Sequence, residues 1–174
     1  MSYYVCIHTQ TFGVLTSLCG SSKIAGRLSN VDNDCAGNDY CLVYAHHIAF
    51  NQPHDDTGGA NCSTAPFMHA IEVLLPDYEP LIACIFNVIN NHDVIKKLYL
   101  NATKRSGNGK EVITQQYQLE DGLLTDFAHK VRDQRQETHL RHRGEVKLGF
   151  KFQSLTVEDK VNNSTGVATT NRVA

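Results

Sequence analysis

Histidine and cysteine are the residues of this sequence best suited to chemistry. The chain of 174 residues carries nine histidines and six cysteines. His139 and His142, in "HLRH", form the best-spaced metal pair, because they would share one face of a helix. No third ligand is fixed nearby by spacing, and the neighbouring arginines oppose a cation, whereas zinc needs three or four converging ligands. We therefore predict no bound metal and no cofactor.

His46 and His47 are adjacent, and they lie in the apolar segment 39–50 that reads as a strand. Successive residues of a strand point to opposite faces, so these two imidazoles cannot chelate one ion together. We predict that one of them points inward and the other outward.

The cysteines lie at positions 6, 19, 35, 41, 62 and 84, all in the first half of the chain. There is no CxxC pair, and the N-terminus lacks the basic head and apolar core of a signal peptide. A chain that folds in the cytosol keeps its thiols reduced, so we predict free thiols rather than disulfides. Cys6, Cys41 and Cys84 lie within apolar segments and are interpreted as small core residues.

Hydrolytic chemistry has its best candidates in the polar loop 51–66, "NQPHDDTGGANCSTAP". This loop combines His54, Asp55 and Asp56 with Cys62 and Ser63. Their spacing fixes no nucleophile–base–orienter arrangement, and the chain has no G-x-S-x-G elbow, Walker motif or dinucleotide glycine pattern. We predict a surface loop without a catalytic residue, and a protein that is not an enzyme.

The segment 129–143 contains five Lys or Arg residues against two acids. It has no aromatic residue on which a base could stack, and the formal net charge of the whole chain is −2. No apolar run reaches the length of a membrane span. We predict neither nucleic acid nor membrane as a partner.

The elements that must position these residues are mostly strands. In "EVKLGFKF", 145–152, apolar residues alternate with Glu, Lys and Gly, which is typical of a strand with one wet face. The segment 95–122 predicts two strands around a Ser-Gly-Asn-Gly turn, and 123–127 and 154–159 predict further short strands. About eight strands and one helix indicate a mainly β single domain over 1–174, built as an antiparallel barrel or sandwich. The polar tail 160–174 is expected to fray or to form a last edge strand.

One segment, about residues 80–90, has the periodicity of a helix. Pro80 suits the first turn, and Asn90-Asn91 can end the helix because asparagine tolerates the left-handed conformation. The large apolar residues exceed what one sheet can cover, so we expect one face in the barrel wall and another facing a neighbouring subunit. We also expect Ile85 and Phe86 each to occupy a packed site. The predicted packing and interface residues are Leu81, Ile82, Ile85, Phe86, Val88 and Ile89.

The order of these elements resembles the haemolysin-coregulated protein (Hcp) family, the tube protein of type VI secretion systems. A strand, "HAIEVLL", runs into "PDYEP" at the start of the helix, "NNHD" follows the helix, and a hairpin and "EVKLGFKFQSLTVED" come after. Asp77, Pro80 and His92 match the family's motif positions, and "GVLTSLCGSSKIAG", 13–26, resembles its enterobacterial branch. The resemblance covers roughly Tyr3 to Gly166, and because the chain lacks the family's C-terminal tryptophan it resembles a divergent member.

The resemblance implies a barrel of two antiparallel sheets with one helix at its side. Copies would form hexameric rings that stack into a tube, and a contractile sheath would expel this tube together with a spike protein and effectors carried in its lumen. The protein would then pass from the bacterial cytoplasm directly to the outside without a signal peptide. The first alternative is a phage-tail-tube-like or effector-binding module that builds no tube. The least favoured alternative is a small β-barrel enzyme.

In the family the long loop after the second strand reaches the adjacent ring. Acidic residues of loop 51–66 would then face the basic loop 129–143 across stacked rings, and opposite charges would guide the register. The predicted stacking residues are Pro53, His54, Asp55 and Asp56 on one side, and Arg132, Arg135, Arg141 and Arg143 on the other.

Overall fold

The structure is a computed structural model that describes residues 1–19, 28–29, 35–36, 39–51, 67–133, 135 and 144–169. Within these ranges the chain forms eleven strands, one α-helix and one 3-10 helix. The 3-10 helix spans Leu15–Cys19 and the helix α1 spans Glu79–Asn90. The strands are β1 Ser2–Thr9, β2 Leu28–Ser29, β3 Cys41–Val43, β4 Ala45–His47, β5 Phe50–Asn51, β6 Phe67–Met68, β7 Ile71–Pro76, β8 Val94–Arg105, β9 Glu111–Lys130, β10 Glu145–Asp159 and β11 Ser164–Thr169.

Nine of the described strands form one sheet that curls into a barrel. Its order is β3-β1-β8-β9-β10-β7-β4, with β11 beside β10 and the short β2 parallel to β9. Only Tyr44 separates β3, which pairs with β1, from β4, which pairs with β7. One stretch of chain therefore joins the two ends of the sheet, and the Tyr44 N–H donates to the Leu74 carbonyl at 2.8 Å. The predicted mainly β, antiparallel barrel with a single helix is confirmed, and β5 and β6 form a separate two-stranded sheet.

The barrel interior follows the alternation seen in the sequence. On β10, Val146, Leu148, Phe150 and Phe152 are all buried, as the pattern of "EVKLGFKF" predicts. The register between β9 and β10 shifts between Gly149 and Phe150, which marks a bulge there. The same interior receives further apolar residues from four elements: Val5, Ile7, Ile71, Val73, Leu75, Leu81, Ile85, Leu98 and Leu100.

Two strands are longer than predicted. The segments 123–127 and 154–159 are not separate strands, because β9 and β10 run through them and stay paired over almost their whole length. The alternation breaks near Asp121, which has a positive φ of 52°, but backbone pairing continues across the break. In the C-terminal tail, Ser164–Thr169 forms the edge strand β11 on β10.

Helix α1 ends where the sequence predicts and begins one residue earlier, at Glu79. Pro80 occupies the first turn after an extended Tyr78. At the other end Asn91 has φ −93°, and the left-handed residue is His92 with φ 49°. The expectation that asparagine supplies the left-handed conformation is therefore wrong. The Asp93 carboxylate then accepts bonds from the N–H and hydroxyl of Thr11, which ties the helix end to the turn after β1.

The structure also corrects the prediction of free thiols, because Cys6 and Cys35 form a disulfide across 29 positions of the sequence. By strand alternation, Val5 and Ile7 face the barrel interior while Cys6 faces outward. Cys35 and Tyr40, which precede β3 in the sequence, lie on this outer face and form a second apolar cluster with Tyr4, Cys6 and Tyr99. Of the other cysteines whose side chains are described, Cys41 is a buried free thiol and Cys84 a half-buried one.

Candidate assembly surface

Helix α1 has two apolar faces, and only one belongs to the core of the subunit. Leu81 and Ile85 are fully buried and Val88 is 1% exposed. On the other side Phe86 is 54% exposed and Ile89 is 38% exposed. The prediction that Phe86 occupies a packed site is wrong within this subunit, because the helical period turns it away from Ile85 and toward solvent.

The outward helix face continues onto the barrel wall. The rings of Phe86 and Phe127, on β9, meet edge to face with centroids 5.1 Å apart. The result is an apolar patch, here termed the helix patch, made of Ile82, Phe86 and Ile89 on the helix and Phe127 on β9. Large exposed apolar groups that adjoin one another are typical of a surface that another protein covers.

Polar contacts fix the start of the helix beside this patch. The Asp77 carboxylate lies 2.9 Å from His129 Nε2 near the end of β9, and the Asp77 N–H donates to the Gly144 carbonyl at 2.9 Å. A Cβ on Gly144 would lie 2.5 Å from Asp77 Oδ2, so a larger residue here would require the Asp77 carboxylate to move. Asp77, Pro80 and His92, which carry the sequence resemblance, thus all act in placing the helix.

A free strand edge lies elsewhere on the molecule. Among the described strands, β11 pairs with β10 alone, which leaves its other edge without a partner strand. Val167 on β11 is 66% exposed. An uncovered edge presents a row of backbone N–H and C=O groups that can pair with a strand of another chain.

A cleft of about 650 Å³ opens at this end of the barrel. The cleft lies between residues of the segment 46–50 and strand β11, beside β9 and β10, and its lining includes His46, Phe50, Tyr117, Val157 and Val167.

Aromatic contacts orient His46 at the cleft. Its ring centroid lies 4.5 Å from that of Tyr3 and 6.4 Å from that of Tyr117. Burial, and secondarily His47, lowers the pKa of His46, while burial and then Tyr3 raise the pKa of Tyr117. Both groups are therefore held neutral near pH 7. His46 is half-buried and His47 is exposed, in line with the prediction of one inward and one outward histidine.

Several predicted site residues lie outside the described part of the chain. These are Pro53, His54, Asp55, Asp56, His139, Arg141, His142 and Arg143. Arg132 and Arg135 are described and lie exposed beyond the end of β9. Arg135 forms an ion pair with Asp133 at 2.9 Å, so part of its charge is compensated locally. The meeting of the acidic and basic loops stays a prediction.

Over the described ranges, no helix combines the length and apolarity needed to cross a membrane. The chain matches no protein-family model and no curated protein.

Solved structures give a clear match to the fold. A structure described as an Hcp protein superposes with a TM-score of 0.78 at 12% identity, over 98% of both chains. The Hcp1 protein from E. coli gives a TM-score of 0.70 at 13% identity, over 97% of this chain and 98% of that one. The secreted protein Hcp3 from Pseudomonas aeruginosa gives 0.69 at 12% identity, over 97% and 99%. The chain therefore has the Hcp-like fold from end to end.

Proposed function

We propose that this protein is a structural subunit of a type VI secretion tube, and that it assembles into hexameric rings that stack. The observation that carries the proposal is the end-to-end match to a structure described as an Hcp protein, with a TM-score of 0.78 over 98% of both chains. Because fold alone does not fix function, the surfaces of this chain must supply the rest of the argument.

The two uncovered features suit a closed ring. A ring uses heterologous contacts, in which one patch of each subunit meets a different patch of the next. The helix patch and the free edge of β11 are two such different surfaces, one apolar and one rich in backbone hydrogen-bonding groups. Apolar burial would supply most of the binding free energy, and strand pairing would fix the register.

The proposed ring places the protein in a larger machine. Its partners would be further copies of itself, the spike and sheath proteins, and effectors that travel in the lumen. Export of the assembled tube would carry the protein out of the bacterial cytoplasm without a cleaved signal.

Native mass spectrometry and negative-stain electron microscopy test the ring directly. The expected species has six times the mass of the 19.4 kDa chain and appears as a ring with an open lumen. Phe86→Asp should leave the subunit folded and reduce the ring population at least tenfold, because it places a charge in the interface. A monodisperse monomer from the native chain over micromolar concentrations would reject the proposal.

Val161→Asp is the matched control, because Val161 is also an exposed apolar residue, at 66%, but lies in the turn before β11 and outside the helix patch. This variant should keep the ring population of the native chain. Equal loss in both variants would indicate a general effect of added charge and would remove the role given to the helix patch.

A further inference from the structure

Two sulfur atoms and an imidazole converge on the outer face of strand β1, where Cys35 meets Cys6 and His8. Cys6 and His8 are two residues apart on β1, so their side chains leave the same face of the strand. Cys35 lies over them, with its Sγ 3.0 Å from His8 Nε2. One donor atom from each of the three residues falls within 4.8 Å of the other two.

We propose that the reduced protein binds one Zn²⁺ through Cys6 Sγ, His8 Nε2 and Cys35 Sγ. Thiolate and imidazole are the ligands that zinc prefers, and three protein ligands leave a fourth tetrahedral position for water. With Zn–S bonds of about 2.3 Å, the two sulfurs of a tetrahedral site lie about 3.8 Å apart. The Cα atoms of Cys6 and Cys35 are 6.7 Å apart, which leaves room for rotation of the side chains to reach that separation.

The burial of the three side chains favours a specific metal site over a chance grouping at the surface. Cys6 is fully buried and Cys35 is 3% exposed, while His8 is half-buried and offers the route of entry. The His8 imidazole and the Tyr99 ring meet edge to face, with ring centroids 6.2 Å apart, and this contact orients the imidazole. The sequence analysis weighed His139 with His142 and His46 with His47, and local spacing could not indicate this set because Cys35 is 27 positions from His8.

The disulfide and the zinc site exclude each other, because both use the same two sulfurs. Two molecules of a small thiol reduce the Cys6–Cys35 bond to two cysteine thiols and leave as one small disulfide. Zn²⁺ then displaces the two thiol protons as it binds. In the reverse direction a small disulfide accepts two electrons from the two thiolates, leaves as two small thiolates, and Zn²⁺ departs as the protein disulfide forms.

Either cross-link fastens the segment before β3 to the barrel. The site would therefore keep the outer cluster of Tyr4, Tyr40 and Tyr99 closed under reducing and oxidising conditions alike. The proposed zinc site uses residues of one subunit only, so its test does not depend on ring assembly.

Metal titration tests the proposal in a background that removes the competing thiols. The background carries Cys19→Ser, Cys41→Ala, Cys62→Ser and Cys84→Ser, and it retains Cys6 and Cys35. After reduction with a phosphine, removal of metal and exclusion of air, the protein should bind one equivalent of Zn²⁺ by calorimetry. Co²⁺ should give a thiolate-to-metal charge-transfer band, and oxidation with a small disulfide should release the metal. No binding by the reduced protein, or equal binding by the oxidised protein, would overturn the proposal.

His8→Ala in the same background tests the imidazole ligand. It should weaken zinc binding by at least about tenfold, while its oxidised form keeps the disulfide and the melting temperature of the background. His47→Ala, at an exposed histidine on β4, is the matched control and should bind zinc like the background. Unchanged affinity in His8→Ala would overturn the assignment. If reduction unfolds the metal-free chain, zinc must restore the folded circular-dichroism spectrum, and failure to do so also counts against the site.

Discussion

The ring of Phe152 lies against the bare backbone of Gly122, its partner across the β9–β10 ladder. A Cβ on Gly122 would overlap Phe152 Cδ1 and Cε1 and would lie 2.8 Å from the Lys151 carbonyl oxygen. The Phe152 ring thus occupies the space that a side chain at position 122 would need, between the long strands β9 and β10. An aromatic residue that covers a glycine in this way helps fix strand register.

Gly122→Ala should lower the free energy of unfolding by about 1–3 kcal/mol, because the ring and the backbone must move apart. Gly107→Ala is the matched control, since a Cβ on Gly107 in the hairpin turn meets nothing within 4 Å. Urea unfolding of both variants measures the difference. Equal stability of the two would show that the β9–β10 contact relaxes without cost.

Neighbouring residues of helix α1 should respond oppositely to charge. Ile85→Asp places an unpaired carboxylate in the fully buried face and should cost several kcal/mol, roughly 4 or more. Phe86→Asp, on the exposed face, should change the melting temperature of the monomer little. Ile85→Val gives the scale of a simple loss of volume at this site, about 1 kcal/mol. Soluble Ile85→Asp with native stability would contradict the assigned core face.

Loss of the Cys6–Cys35 disulfide should destabilise the metal-free protein. Closing a loop of this length contributes about 3.6 kcal/mol in the chain-entropy model. Cys35→Ser should therefore shift the urea midpoint down, and Cys84→Ser, at a half-buried free thiol, should not do so to the same extent. Mass spectrometry before and after alkylation checks that the native chain carries the bond. Full alkylation of Cys6 and Cys35 without reductant would contradict it.

His46 should make the protein less stable in mild acid. Burial lowers the pKa of this imidazole in the folded state, so the unfolded chain binds the proton more tightly. The stability contribution is present above the ordinary pKa of about 6.5 and is lost as the pH falls toward the lower folded value. Melting temperatures of the native chain and His46→Gln, measured at neutral pH and near pH 5, should converge in acid. His69→Gln, at an exposed histidine, is the control and should keep the native pH dependence.

Ring stacking is predicted to weaken as salt rises. If Asp55 and Asp56 face the basic loop across rings, each exposed pair contributes about 0–1 kcal/mol, and repetition around the ring adds these contributions. The ring itself, held by apolar and strand contacts, should persist. Electron microscopy across a salt series, for the native chain and for Asp55→Lys with Asp56→Lys, follows both populations. Tubes that persist unchanged in both tests would remove the electrostatic register but not the ring.

Local patterns in the sequence predict most of the elements and the fold class. The alternation of Val146, Leu148 and Phe152, and the helical spacing of Leu81, Ile85 and Val88, are local patterns whose meaning depends only on the period of the backbone. A barrel with one helix follows from them, because each apolar face needs a cover. The sequence also predicts that the helix has two apolar faces, but it does not predict that Phe86 lies on the exposed one.

Contacts between residues far apart in the sequence could not be predicted in this way. Three features depend on which distant parts of the chain come back together in space. They are the closure of the barrel through Tyr44, the disulfide between Cys6 and Cys35, and the exposure of Phe86. No local spacing encodes that return, since it is fixed by the packing of whole strands against one another. The sequence therefore predicts what the barrel is made of, while the fold decides which apolar surfaces stay exposed and which sulfurs meet.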